Sequence, residues 1–135
     1  MTLCLAANSL EKLAEKLDGE EEEDKTDEAV AYFKWTSSEW AYEALEGDAS
    51  AEINRALRTD VERDELDTFM QSLIRCMTDA LGSLVNEGFF KRTGIIGEAV
   101  VFVTMTDDDA AQSIENNSAS ALNTGASLQL FLNRF

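Results

Sequence analysis

Apolar residues recur along this chain at helical spacing in some stretches and in continuous β-prone runs in others. Leu10, Leu13, Ala14 and Leu17 fall at i, i+3, i+4 and i+7, one face of a helix. Asn8 or Ser9 can cap its start, and Asp18-Gly19 can close it. The preceding Met1–Ala7 is short and apolar and reads as a strand. Ala29–Thr36 (AVAYFKWT), rich in β-formers, reads as a second strand with two apolar faces. Ser37 or Ser38 then starts a short helix through Glu43. After Gly47, Asp48 caps another to about Thr59, presenting Ile53, Ala56 and Leu57.

From Asp64 to about Glu87 the helical pattern lasts longest. Leu66, Phe69, Met70, Leu73, Met77, Ala80, Leu81, Leu84 and Val85 make a broad stripe, and Gly88 is placed to end it. Phe89-Phe90 and a basic turn, Lys91-Arg92-Thr93-Gly94, lead to Glu98–Met105 (EAVVFVTM). This is the clearest strand in the chain and should be buried on both faces. Thr106-Asp107-Asp108-Asp109 has the form of a capping box for a helix over about Asp108–Glu115. Asn116-Asn117 and Asn123-Thr124-Gly125 read as loop, and Ala126–Phe135 ends the chain with Leu128, Phe131, Leu132 and Phe135 at helical spacing. Three strands with four or more helices predict one α+β domain over residues 1–135: a small sheet of about three strands packed against helices, one of them long and central.

Charge alters this picture locally. The chain of 135 residues has 27 acids, 11 bases and no histidine, for a net charge of −16. The excess is uneven: 20 acids and 7 bases stand before or at Asp67, 7 acids and 4 bases after it. Asp18–Glu28 alone holds eight acids and one lysine. Such a run cannot bury itself and is expected to form a mobile, solvated loop. A field of this sign repels nucleic acid and anionic membrane and speeds association with a basic partner. Hydrophobic residues still make up 44% of the chain, enough for a folded core.

Met1–Ala7 lacks a basic segment followed by a long apolar core, and no apolar run approaches the ~20 residues of a membrane helix. The expected location is the cytoplasm. Cys4 and Cys76, far apart in apolar surroundings, read as buried packing thiols in a reducing compartment.

Without histidine the chain loses the commonest general base, the Ser-His and Cys-His nucleophiles and the commonest zinc ligand. Thr93-Gly94-Ile95-Ile96-Gly97 has neither the lysine nor the spacing of a phosphate-binding loop. Glu20–Glu23 with Asp24 could attract a divalent cation, but no Asp-x-Asp-x-Asp-Gly loop preorganises a cage. Asp107–Asp109 could serve as a metal or acid/base cluster, and helix capping accounts for the same residues. No catalytic residue, metal site or cofactor is assigned.

The densest aromatic stretch lies beside the acidic run. Trp35, Glu39, Trp40, Tyr42 and Glu43 place large amphipathic rings and carboxylates within nine residues, a composition suited to a binding surface. A core anchored by Trp35 and Trp40 with Tyr42 at its rim would use the same residues. With Glu20, Glu21, Glu22, Glu23 and Asp24, these form the candidate partner-binding set.

The order of these motifs resembles a bacterial family, domain of unknown function 4303. The matching pieces are Cys4-Leu5-Ala6-Ala7-Asn8-Ser9 leading into a helix, Phe33-Lys34-Trp35 with Ser38–Tyr42, the long helix ending Glu87-Gly88-Phe89-Phe90, and Val100–Met105 running into Thr106-Asp107-Asp108. Members of that family usually begin with a further helix and strand, and here the match starts almost at the Ala-Ala-Asn-Ser helix. A sheet lacking that strand would expose an edge, which self-association would cover. The resemblance implies no activity. Some small acidic proteins of this general kind are encoded beside toxins and act as immunity proteins.

The reading that follows is an acidic interaction protein, not an enzyme: an inhibitor or immunity protein that neutralises a basic partner such as a toxin or nuclease. The alternatives are an enzyme using carboxylates and a divalent metal, with Asp107, Asp108 and Glu39 round one pocket, and a scaffold domain whose acidity maintains solubility.

Overall fold

The computed structural model describes residues 4–45, 48–57, 65–92, 99–106 and 109–135, with the backbone alone at 43–45, 48–49 and 92. Its contacts divide the chain into two compact units, Met1–Asp60 with Phe135, and Val61–Arg134.

The first unit begins with β1 (Leu5–Ala7) and α1 (Leu10–Asp18). Ser9 caps α1, its side chain accepting from the Lys12 amide, and Leu13 is the buried point of the apolar stripe. A 3₁₀ turn (Glu22–Asp24) and α2 (Asp27–Trp35) follow, then a second 3₁₀ turn (Ser37–Glu39), β2 (Tyr42–Leu45) and α3 (Asp48–Leu57). β1 and β2 pair antiparallel, Leu5 opposite Leu45 and Ala7 opposite Tyr42. Three steps along β2 against two along β1 leave a bulge between those pairs.

Of the predicted strand Ala29–Thr36, all but the extended cap residue Thr36 is therefore helix. The acids before it supply the reason. The Thr26 hydroxyl accepts from the Ala29 amide at 3.2 Å, and Asp27 and Glu28 occupy the positive end of the helix dipole. The acidic run is thus divided between a 3₁₀ turn and a helix start. Conversely, the helix expected to continue through Glu43 stops at Glu39 and gives way to β2.

The second unit is helical: α4 (Leu66–Asn86), α5 (Phe89–Arg92), α6 (Ala111–Leu122) and α7 (Gly125–Leu132). Gly88, with φ +70°, ends α4 as its position suggests. Gly82 of α4 faces α6, and a Cβ there would stand at ordinary contact distance, 3.7 Å, from Leu122 Cδ2. α6 runs through the Asn116-Asn117 expected to be loop. No helix is long and apolar enough to cross a membrane among the described residues.

The expected central strand corrects the fold class. Residues 99–105 enter no ladder among the described residues; side chains of α6 and its cap take the place of a partner strand. Asn123 Oδ1 accepts from the Val101 amide at 2.8 Å, and its Nδ2 donates to the Val101 carbonyl at 2.6 Å. Ser118 Oγ accepts from the Val103 amide at 2.9 Å and lies 3.2 Å from the Val103 carbonyl oxygen. The spacing explains the match. Two residues of extended chain span roughly 6.6 Å, and five residues of helix rise about 7.5 Å. Both side chains are buried, as is Val103. The chain is mostly helical, with one two-stranded ribbon among the described residues, and not an α+β fold with a three-stranded sheet.

Candidate functional site

The carboxylates of Asp18–Glu28 lie at the end of α1, on the first 3₁₀ turn and at the start of α2. Glu22 and Lys25 meet at 2.7 Å across the first 3₁₀ turn. The hydrogen bond from Lys25 holds the Glu22 carboxyl below its ordinary range, and the same bond raises the Lys25 ammonium above its own. No ion pair among the described residues engages the other seven acids of the stretch. Glu21, Glu23, Asp24, Asp27 and Glu28 are exposed, and Glu20 is half-buried.

The aromatic cluster is organised by internal bonds. Lys16 of α1 reaches Glu39 Oε2 at 2.6 Å and stands 4.5 Å from the Phe33 ring centroid. Glu39, expected at a partner-binding surface, is thus committed to Lys16. Local spacing could not disclose that pair, because 23 residues separate its members. The Trp40 indole N–H donates to the Lys34 carbonyl at 3.1 Å, satisfying an end group of α2, while Lys34 Nζ lies 5.0 Å from the Trp35 ring. Trp35 and Trp40 are half-buried; Tyr42 is 44% exposed. Of Glu43 only the backbone, in β2, is described. The structure thus places Glu21–Asp24 and Tyr42 against solvent, leaves Glu20 half-buried, and uses Trp40 and Glu39 to hold their own elements together.

Little else among the described residues offers chemistry. An open depression of about 370 Å³ between α4 and α6 is lined by Thr78, Asp79, Ser83, Asn86 and Leu122, among others. The hydroxyls of Thr78 and Ser83 donate to the Ile74 and Asp79 carbonyls of their own helix, and Asp79 lies 3.9 Å from Arg75. Among the described residues no three His, Cys, Asp or Glu side chains converge as metal ligands. Asp107 and Asp108 lie outside those residues. Cys4 and Cys76 are both exposed thiols, contrary to the expected burial. Cys76 shares the outer face of α4 with Arg75 and Asp79, off its apolar stripe.

Sequence reasoning also passed over a buried polar network in the second unit. The Arg134 side chain is 2% exposed and donates to Glu115 Oε2 and Asn116 Oδ1, each at 2.7 Å, and to the Phe131 carbonyl at 2.9 Å. Glu115 Oε1 accepts from the Thr104 hydroxyl at 2.5 Å. A lone arginine near the end of an acidic chain gave no spacing signal for this arrangement.

The family model described as domain of unknown function (DUF4303) covers residues 1–124, most of the chain. No curated protein and no solved structure matches significantly.

Proposed function

The chain belongs to the DUF4303 family, whose description assigns no activity, and from its surface we propose that it is an acidic interaction protein that binds and neutralises a basic partner, such as a toxin or nuclease. One observation carries the reading. Seven of the eight acids in Asp18–Glu28 have no ion-pair partner among the described residues, while the one lysine of the stretch pairs with Glu22. Residues 1–60 hold 16 acids and 6 bases, so this surface lies in the more acidic part of the chain.

Carboxylates held on a 3₁₀ turn and a helix start present fixed negative charge. An inhibitor of a nucleic-acid enzyme can place such groups where substrate phosphates would sit, and complementary fields raise association from roughly 10⁵–10⁶ to 10⁸–10⁹ M⁻¹s⁻¹ at low salt. Tyr42, exposed on β2, adds a ring of the kind that anchors interfaces. Trp40 ties the following turn to the end of α2 through the Lys34 carbonyl.

Titration with the purified product of the adjacent reading frame, where that product is basic, tests the proposal. Tight binding that weakens from 50 to 500 mM salt is the expected result, on the order of the salt loss of charge-steered complexes. Absence of binding, or binding indifferent to salt, counts against it.

A further inference from the structure

We propose that residues 125–134, beyond the family match at 1–124, form a clamp that keeps the 99–105 segment in its extended conformation, with Arg134 as its positioning residue. The segment is gripped in two ways. α6 and its cap hold the backbone of Val101 and Val103 through Asn123 and Ser118. The C-terminal residues hold the side chains that alternate with them. The Phe102 ring lies 4.6 Å from the Phe131 ring, tilted by 40°, and Phe131 is fully buried. Thr104 reaches the same residues through Glu115, whose other carboxylate oxygen is held by Arg134.

Arg134 completes this grip from beneath. Its guanidinium carbon lies 3.8 Å from the Phe131 ring centroid, so one side chain both orients Glu115 for Thr104 and backs the ring that covers Phe102. An apolar, β-branched segment without a strand partner among the described residues is prone to pair elsewhere when released. The clamp makes its order conditional on α7 and the residues that follow it.

Hydrogen exchange on the full-length protein tests this. Arg134→Met keeps length and removes the fork; it should speed exchange of the Val101 and Val103 amides about tenfold or more while the Leu73 and Met77 amides of α4 keep their protection. Arg134→Lys, which keeps the charge without the fork, should fall between. Thr104→Val leaves the C-terminal residues intact and should speed the same two amides by a smaller factor, so the proposal stays testable where Arg134→Met does not fold. Wild-type protection at Val101 and Val103 in Arg134→Met and Thr104→Val overturns the clamp. So does an equal loss of protection over the whole of the second unit, which would make Arg134 a residue of general stability.

Discussion

Lys16 Nζ lies 2.6 Å from Glu39 Oε2 and 4.5 Å from the Phe33 ring centroid, so one cation links α1 to both the end of α2 and the turn that follows it. About a third of each charged side chain is exposed, which screens the pair. A double-mutant cycle with Lys16→Met and Glu39→Gln, followed by urea unfolding, should return a coupling of about 0.5–1 kcal/mol. Coupling within error of zero would mean that the pair does not hold these elements together.

Trp40→Phe keeps most of the ring and removes the donor to the Lys34 carbonyl. The expected cost is about 1 kcal/mol in urea unfolding, with the last turn of α2 exchanging its amides faster. An unchanged midpoint would show that water replaces the indole N–H there without loss.

Two glycines should respond with opposite sign. Gly82→Ala adds a methyl at ordinary contact distance from Leu122 and improves helix propensity, raising stability by about 0.5–1 kcal/mol. Gly88→Ala forces a side chain into φ +70° and should lower it by about 1–2 kcal/mol. Thermal melts of the two variants measure both shifts, and a fall for Gly82→Ala would mean that α4 and α6 cannot accommodate the methyl.

The Glu22 carboxyl should titrate below the usual glutamate value because Lys25 donates to it. A depressed native pKa stabilises the fold at pH above the unfolded glutamate value, and that support is lost as pH falls through the native value. The Glu22 side chain is exposed, so the readout is the titration itself. Side-chain NMR should give a lowered Glu22 midpoint that returns to the ordinary range in Lys25→Ala. The same midpoint in both proteins would remove the pair.

Elements whose signals agree locally were legible in the sequence. α1 has a serine cap and four apolar residues on one face, and α4 carries its stripe over 21 residues to a glycine of positive φ. Ala29–Thr36 was not legible because Val30, Tyr32, Phe33 and Trp35 favour strands, while the deciding signal, Thr26 with Asp27 and Glu28, lay inside a run read only as charge. Extended backbone at 99–105 followed from its β-branched residues. Its partner did not, since Ser118 and Asn123 compose a strand substitute only once α6 sets them five residues apart.

The candidate surface was legible by the same rule. Exposed acids at Glu21, Glu23 and Asp24 follow from composition alone, because eight carboxylates in eleven residues cannot be buried together. The commitment of Glu39 to Lys16 depends on the packing of α1 against α2, and no pattern within either element announces it.

Neutralising the exposed run tests the central claim most directly. The variant Glu20→Gln, Glu21→Gln, Glu23→Gln, Asp24→Asn keeps the Glu22–Lys25 pair and removes four charges. Stopped-flow association with the basic partner, measured for this variant and the wild type between 50 and 500 mM salt, should show a low-salt rate reduced by about tenfold or more and a flatter salt dependence. Equal rates and equal salt slopes, with both proteins folded, would contradict a role for this surface in binding.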